Sequence, residues 1–133
     1  MEFVETKICL DTDFIIDFLK NRQEAVNWIK DNEETSDLAT TAITVFELYY
    51  GEYKNKYKGN PEKLDLFIES LNILDITKIT AKEAGKIAAQ LEKEGELLEF
   101  RDILIAAATL LNQYALKTNN KKHFERIKRL TLV

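Results

Sequence analysis

Short apolar runs alternate with longer segments of helical spacing along this chain, and that alternation restricts the fold more than any other feature. The runs are residues 7–10, Leu38-Ala39-Thr40, Ile73-Leu74-Asp75-Ile76, Tyr114-Ala115-Leu116-Lys117 and Leu130-Thr131-Leu132-Val133, each short enough to be one strand. Between them, Phe14, Ile15, Phe18 and Leu19 make one helical stripe, and Ala25, Val26, Trp28 and Ile29 a second. Pro61 can open a helix carrying Leu64, Phe67, Ile68 and Leu71, and Thr80-x-x-Glu83 reads as the capping box of the next. Ile103-Leu104-Ile105-Ala106-Ala107-Ala108 is apolar all round, the pattern of a buried helix. Strands that alternate with helices predict an α/β sandwich with a mostly parallel sheet. The 133 residues suffice to bury roughly two thirds of the unfolded chain's surface, and four glycines with one proline leave little room for a linker. A single domain over residues 1–133 is therefore expected.

The formal net charge of −4 argues against a protein that coats nucleic acid by charge alone. The charge is unevenly spread: residues 117–133 hold six Lys or Arg against Glu125, a balance of +5, so the preceding residues carry −9. A basic rim on an acidic body, or simply a solvated C-terminal face, accounts for this. Cys9, the lone cysteine, lies in the first apolar run and reads as a small buried hydrophobe in a reduced, cytoplasmic setting. The N-terminal residues lack a basic flank and a long apolar segment, and no run approaches the roughly 20 residues that span a bilayer. No export signal and no membrane association are expected.

In Ile8-Cys9-Leu10-Asp11-Thr12-Asp13-Phe14-Ile15-Ile16-Asp17 carboxylates interrupt what reads as core, and unpaired buried charge is expensive. Sites in open α/β sheets lie beyond the carboxyl ends of the strands, which is where Asp11 falls. Glu47, in Thr44-Val45-Phe46-Glu47-Leu48, and Asp102, in Phe100-Arg101-Asp102-Ile103-Leu104-Ile105, are two further acids beside apolar segments. Each has a structural explanation. Asp11 suits a helix N-cap, Thr44-x-x-Glu47 fits a capping box, and Asp102 can cap the buried helix or pair with Arg101. Taken together, the three acids can converge on one crevice. Their repulsion would raise a pKa unless a cation neutralised it. Hard Mg²⁺ or Mn²⁺ suits oxygen ligands and can turn water into a nucleophile against phosphate.

Four motifs in order give the chain a family likeness. Leu10-Asp11-Thr12-Asp13-Phe14-Ile15-Ile16-Asp17, Thr44-Val45-Phe46-Glu47-Leu48-Tyr49-Tyr50-Gly51, Asp102-Ile103-Leu104-Ile105-Ala106-Ala107 and Leu116-Lys117-Thr118-Asn119-Asn120-Lys121-Lys122-His123-Phe124 resemble a PIN-domain ribonuclease. The likeness is greatest to VapC toxins of VapBC toxin–antitoxin pairs. It implies a three-layer α/β/α fold, a Mg²⁺- or Mn²⁺-dependent endoribonuclease acting on an RNA substrate, a small cognate antitoxin and a homodimer. By position, the resemblance makes Asp11 and Asp102 metal ligands, with Glu47 a ligand directly or through water. Thr118 and Asn120 complete the site. Many members carry a further acid in that last motif, so Asn120 bears on whether a second metal is held tightly. Asp13 is read as supporting the site or as solvated surface, and His123 as a surface or capping residue.

Tyr49, Tyr50, Tyr53 and Tyr57 interleave with Lys54, Lys56 and Lys58. Such a segment can line RNA, with rings stacking on bases and lysines following phosphates, or can pack its tyrosines on a partner chain. Two other functional classes fit parts of the sequence. Leu10-Asp11-Thr12-Asp13 can open an aspartyl phosphotransferase, although that scheme's later lysine and Gly-Asp elements find no place here. A degenerate nuclease fold can also serve as a non-enzymatic RNA-binding module or adaptor.

Overall fold

The structure, a computed structural model, describes residues 5–54 and 61–133. In chain order the elements are β1 (Thr6–Leu10), α1 (Thr12–Leu19), α2 (Gln23–Asn32), β2 (Ser36–Thr41), α3 (Ala42–Tyr53), α4 (Pro61–Glu69), β3 (Asn72–Leu74), α5 (Lys78–Lys93), α6 (Phe100–Leu111), β4 (Ala115–Lys117) and α7 (Lys121–Phe124). The four strands form one sheet in the order β3-β2-β1-β4, and every pair is parallel.

Alternation along β1 explains the three layers. Ile8 and Leu10 point into a cluster with Phe14, Ile15, Ala25, Ile29, Leu48 and Leu64, contributed by α1 to α4. Cys9, between them, joins Ala39, Leu74 and Leu116 in a second cluster with α5, α6 and Phe124. Successive strand residues face opposite sides, so a strand buried on both faces reads as an unbroken apolar run. Burial also raises the Cys9 thiol to a pKa of about 12, as suits an inert core residue. No helix among the described residues is long and apolar enough to cross a membrane.

Three local expectations are corrected. Leu130–Val133 is no strand. It touches the sheet only through a parallel bridge of Leu132 to Leu116, where the Leu116 amide donates to Thr131 O at 2.8 Å and the Val133 amide to Leu116 O at 3.0 Å. The third strand stops at Leu74, short of Asp75 and Ile76. The capping box of α5 begins three residues earlier than the sequence suggests: Thr77 is the N-cap and exchanges hydrogen bonds with Thr80. Glu83 is thereby released from capping and pairs with Arg129.

The order of the strands sets the position of the site. From β1 the chain builds outward through β2 to β3, then crosses back to lay β4 on the other side of β1. The switch in direction falls between β1 and β4, and sites in open α/β sheets lie at such a point, beyond the strands' carboxyl ends.

Candidate active site

Asp11 is the first residue past β1 and the N-cap of α1, and it is only 5% exposed. Its amide donates to Lys117 O at 2.9 Å, carrying the β1–β4 pairing one rung beyond the strand. Its Oδ1 accepts the Thr12 amide at 2.9 Å, and its Oδ2 accepts the Thr118 hydroxyl at 2.7 Å. The second of these bonds spans the switch point. Desolvation pushes the Asp11 carboxyl up to a pKa of about 6. The two hydrogen bonds oppose that rise, while the charges of Asp102 and Asp13 add to it.

Glu47 arrives from β2. The strand runs directly into α3, where the Thr41 hydroxyl accepts the Thr44 amide at 3.2 Å and caps the helix. Thr41, not Thr44, is therefore the cap, and the Thr44-x-x-Glu47 capping box is not formed. Glu47 instead takes the Thr12 hydroxyl at 2.9 Å. Thr12 Oγ1 also lies 3.0 Å from Thr44 Oγ1. The Thr12 hydroxyl has one proton to offer these two acceptors, and the carboxylate, which only accepts, is the stronger. Burial raises the Glu47 pKa. Thr12 and Arg101 act against it, and Asp102 and Asp13 with it.

Asp102 lies in the first turn of α6, where the helix dipole favours an anion. It is neither the cap, which is Glu99, nor the partner of Arg101, whose guanidinium stands 2.9 Å from Glu99 and 4.0 Å from Glu47. Its neighbour is His123, with Nδ1 3.8 Å from Asp102 Oδ2. Desolvation raises the Asp102 pKa, as do Glu99 and Asp13, while His123 and Arg101 lower it. Asn120 closes the last side. Its amide donates to Thr118 Oγ1 at 3.0 Å, and its side chain reaches Asp13 Oδ2 at 3.5 Å. His123 is exposed, as the surface reading of it expected, and does not act as a cap. Thr12, Thr44 and Arg101 enter without a clear sequence signal, although Thr12 sits inside the Asp-Thr-Asp triplet.

The structure thus joins Asp11, Thr118 and Asn120 by hydrogen bonds and brings Glu47 to Thr12, with Asp102 acting by charge on Asp11 and Glu47 and Asp13 acting on all three of the other acids. The tyrosine segment does not form a single face. Tyr50 stacks on Phe46 and meets Lys54, whereas Tyr49 neighbours Tyr53 and donates to Asp65. Tyr57, Lys56 and Lys58 lie outside the described residues.

The donors fit a hard divalent cation. All are oxygens, all three acids have raised pKa values, and among the described residues Arg101 reaches Glu47 only at 4.0 Å while bound to Glu99 at 2.9 Å. Among the described residues no three His, Cys, Asp or Glu side chains stand close enough to enclose an ion alone.

Comparison with known proteins carries the same pattern further. The family described as PIN domain matches residues 8–130. The chain belongs to the PIN-domain family. This PIN domain is 35% identical over 122 residues to Ribonuclease VapC2 of Haemophilus influenzae, covering 91% of the chain and 92% of that protein. It is 34% identical over 132 residues to Ribonuclease VapC1 of Methanocaldococcus jannaschii, covering 99% and 89%. Among solved structures, it is similar to VapBC2 from Rickettsia felis bound to a DNA fragment from the promoter. There the TM-score is 0.86 at 29% identity, over 96% of this chain and 98% of that one. The three-layer fold and the likeness to VapC ribonucleases expected from the four motifs are thus borne out.

Proposed function

We propose that this PIN domain is a Mg²⁺- or Mn²⁺-dependent endoribonuclease, the toxin of a type II toxin–antitoxin pair. One observation carries the chemistry: Asp11, 5% exposed just past β1, has one carboxylate oxygen held by the Thr12 amide and the other by the Thr118 hydroxyl, within the field of Asp102 and Asp13. Asp11 and Asp102 would hold the ion, with Glu47 binding it directly or through water. Bound there, the ion supplies charge to polarise a phosphate and acidify a water. The chain's own residues prepare the oxygens. Thr118 and the Thr12 amide fix the Asp11 carboxylate and favour its ionised form, and the Thr12 hydroxyl aims Glu47. Asn120 steadies Thr118 and Asp13. Hydrolysis adds hydroxide to phosphorus, breaks one P–O bond of RNA and returns a proton to the leaving oxygen.

The test is cleavage of a mixed RNA pool by the purified protein. Activity is expected with Mg²⁺ or Mn²⁺ and none in excess EDTA. Equal cleavage in EDTA would remove the metal from the scheme.

A toxin must be silenced in its own cell, and a small antitoxin can do so by seating an Arg or Lys among these carboxylates. The solved Rickettsia felis relative is a VapBC2 complex. Exposed Phe46, Tyr50 and Phe100 support aromatic docking surfaces for the antitoxin and for a homodimer. High Mg²⁺ is expected to weaken the complex with the antitoxin, read by titrating the co-purified pair. A partner that binds wild type and an Asp11→Ala, Glu47→Ala, Asp102→Ala triple variant equally well, with no response to Mg²⁺, would put inhibition elsewhere. RNA as substrate and the free, buried Cys9 accord with a cytoplasmic protein.

A further inference from the structure

A recess of about 550 Å³ that the chemistry above does not use opens where α1 and α2 meet the segment after β4. Its walls include Phe14 and Asp17 of α1, Arg22 before α2, Trp28 within α2, and Lys117 and Asn119 on either side of Thr118. The Lys117 ammonium stands 5.4 Å from the Phe14 ring centre and 5.3 Å from that of Trp28. The two rings meet edge to face at 5.3 Å. Among the described residues Lys117 forms no ion pair. Of the carboxylates in the walls, Asp17 accepts the Asn119 amide at 3.0 Å and Glu24 is exposed. Desolvation draws the Lys117 pKa below its usual value, as does Lys121, while Glu24 raises it. An ammonium held by ring faces keeps its N–H donors free for an incoming anion.

We propose that this recess is a nucleotide subsite for the RNA substrate, taking a phosphate on Lys117 and Arg22 and an unstacked base against Trp28. The proposal rests on the ribonuclease reading and adds where the strand beside the cut bond is gripped. The volume is in the range of small-ligand sites. Single-stranded RNA is recognised by this combination of aromatic faces and cations. Lys117 and Asn119 flank Thr118, whose hydroxyl holds Asp11, so the recess and the acids share the chain segment that follows β4.

Trp28 is the only tryptophan of the chain, so its emission reports directly on the recess. In excess EDTA, a short unstructured RNA is expected to quench it. Inorganic polyphosphate, which has charge but no bases, is expected to bind without quenching. Lys117→Met keeps the stem but removes the charge. It is expected to raise the apparent Kd for RNA about tenfold and to reduce its salt dependence by about one ion. In cleavage it raises KM more than it lowers kcat, and Lys117→Arg restores binding. Equal RNA affinity in wild type and Lys117→Met, with no Trp28 response in a protein that cleaves RNA with Mg²⁺, would overturn the subsite and leave the nuclease standing. Polyphosphate quenching as strong as that by RNA would overturn the base contact. Persistent quenching by RNA with no cleavage in any metal would support the subsite and overturn the nuclease reading.

Discussion

Asp11→Asn is expected to lower RNA cleavage by about a hundredfold or more while raising the melting temperature of the metal-free protein. The two effects share one cause. The folded pKa of about 6 lies above the ordinary 3.8, so the folded protein holds this proton more tightly than the unfolded chain. The corresponding stability is whole below a pH of about 3.8 and is lost as pH rises through about 6. A shift of roughly two pH units bounds the loss at about 3 kcal/mol near neutrality. Asn has no charge to desolvate and still caps a helix, so the variant escapes that loss. Its advantage over wild type should vanish near pH ~4 and reach several degrees at neutral pH. Thermal melts across that range, set beside cleavage rates, check both halves. A melting temperature lowered at every pH would mean that Asp11 serves mainly as a cap.

Phe124→Ala is expected to cost about 3–5 kcal/mol, the usual penalty for emptying a large aromatic site in a core. Phe124 is 1% exposed and is the only buried residue of α7, whose other members, Lys121, Lys122 and His123, face solvent. It pins the turn that carries Thr118, Asn120 and His123 against the cluster of Leu116, Ile105 and Leu98. Activity should therefore fall even at temperatures where the variant remains folded, because Thr118 no longer holds Asp11 in place. Phe124→Leu should recover most of the stability. Denaturant melts of the three proteins would show this, and a cost below about 1 kcal/mol would mean that α7 is held by something other than its aromatic anchor.

The sequence discloses β1 because its last three residues are buried on both faces of the sheet, and the resulting apolar run needs no tertiary information to recognise. It overstates Leu130–Val133, whose Leu-Thr-Leu-Val pattern suits a strand but whose backbone meets its neighbour only around Leu116. Hydrogen-bond partners in space, not side-chain pattern, decide that case. The start of α5 is misread for a related reason: Thr77 and Thr80 cap equally well on paper, and only backbone angles choose between them. Asp11 is legible as a candidate because an acid directly after an apolar run is costly unless used. The division of labour around it is not. Whether Arg101 faces Asp102, Glu99 or Glu47 depends on how α6 sits against α3, and Thr12 is too common a residue type to announce that it orients Glu47.

The bond between Asp11 and Thr118 joins residues 107 positions apart. During synthesis Asp11 emerges early, yet its partner strand β4 must follow nearly the whole chain. Contacts of such separation form late because a long loop has to close first. A nascent chain still lacking Thr118 and Asn120 has an unbraced carboxylate at an incomplete sheet edge. On the reading above, such a chain is harmless to the RNA around it, including the message being translated. Catalytic competence then waits on the pairing of β4 with β1, and so follows the synthesis of every element between them.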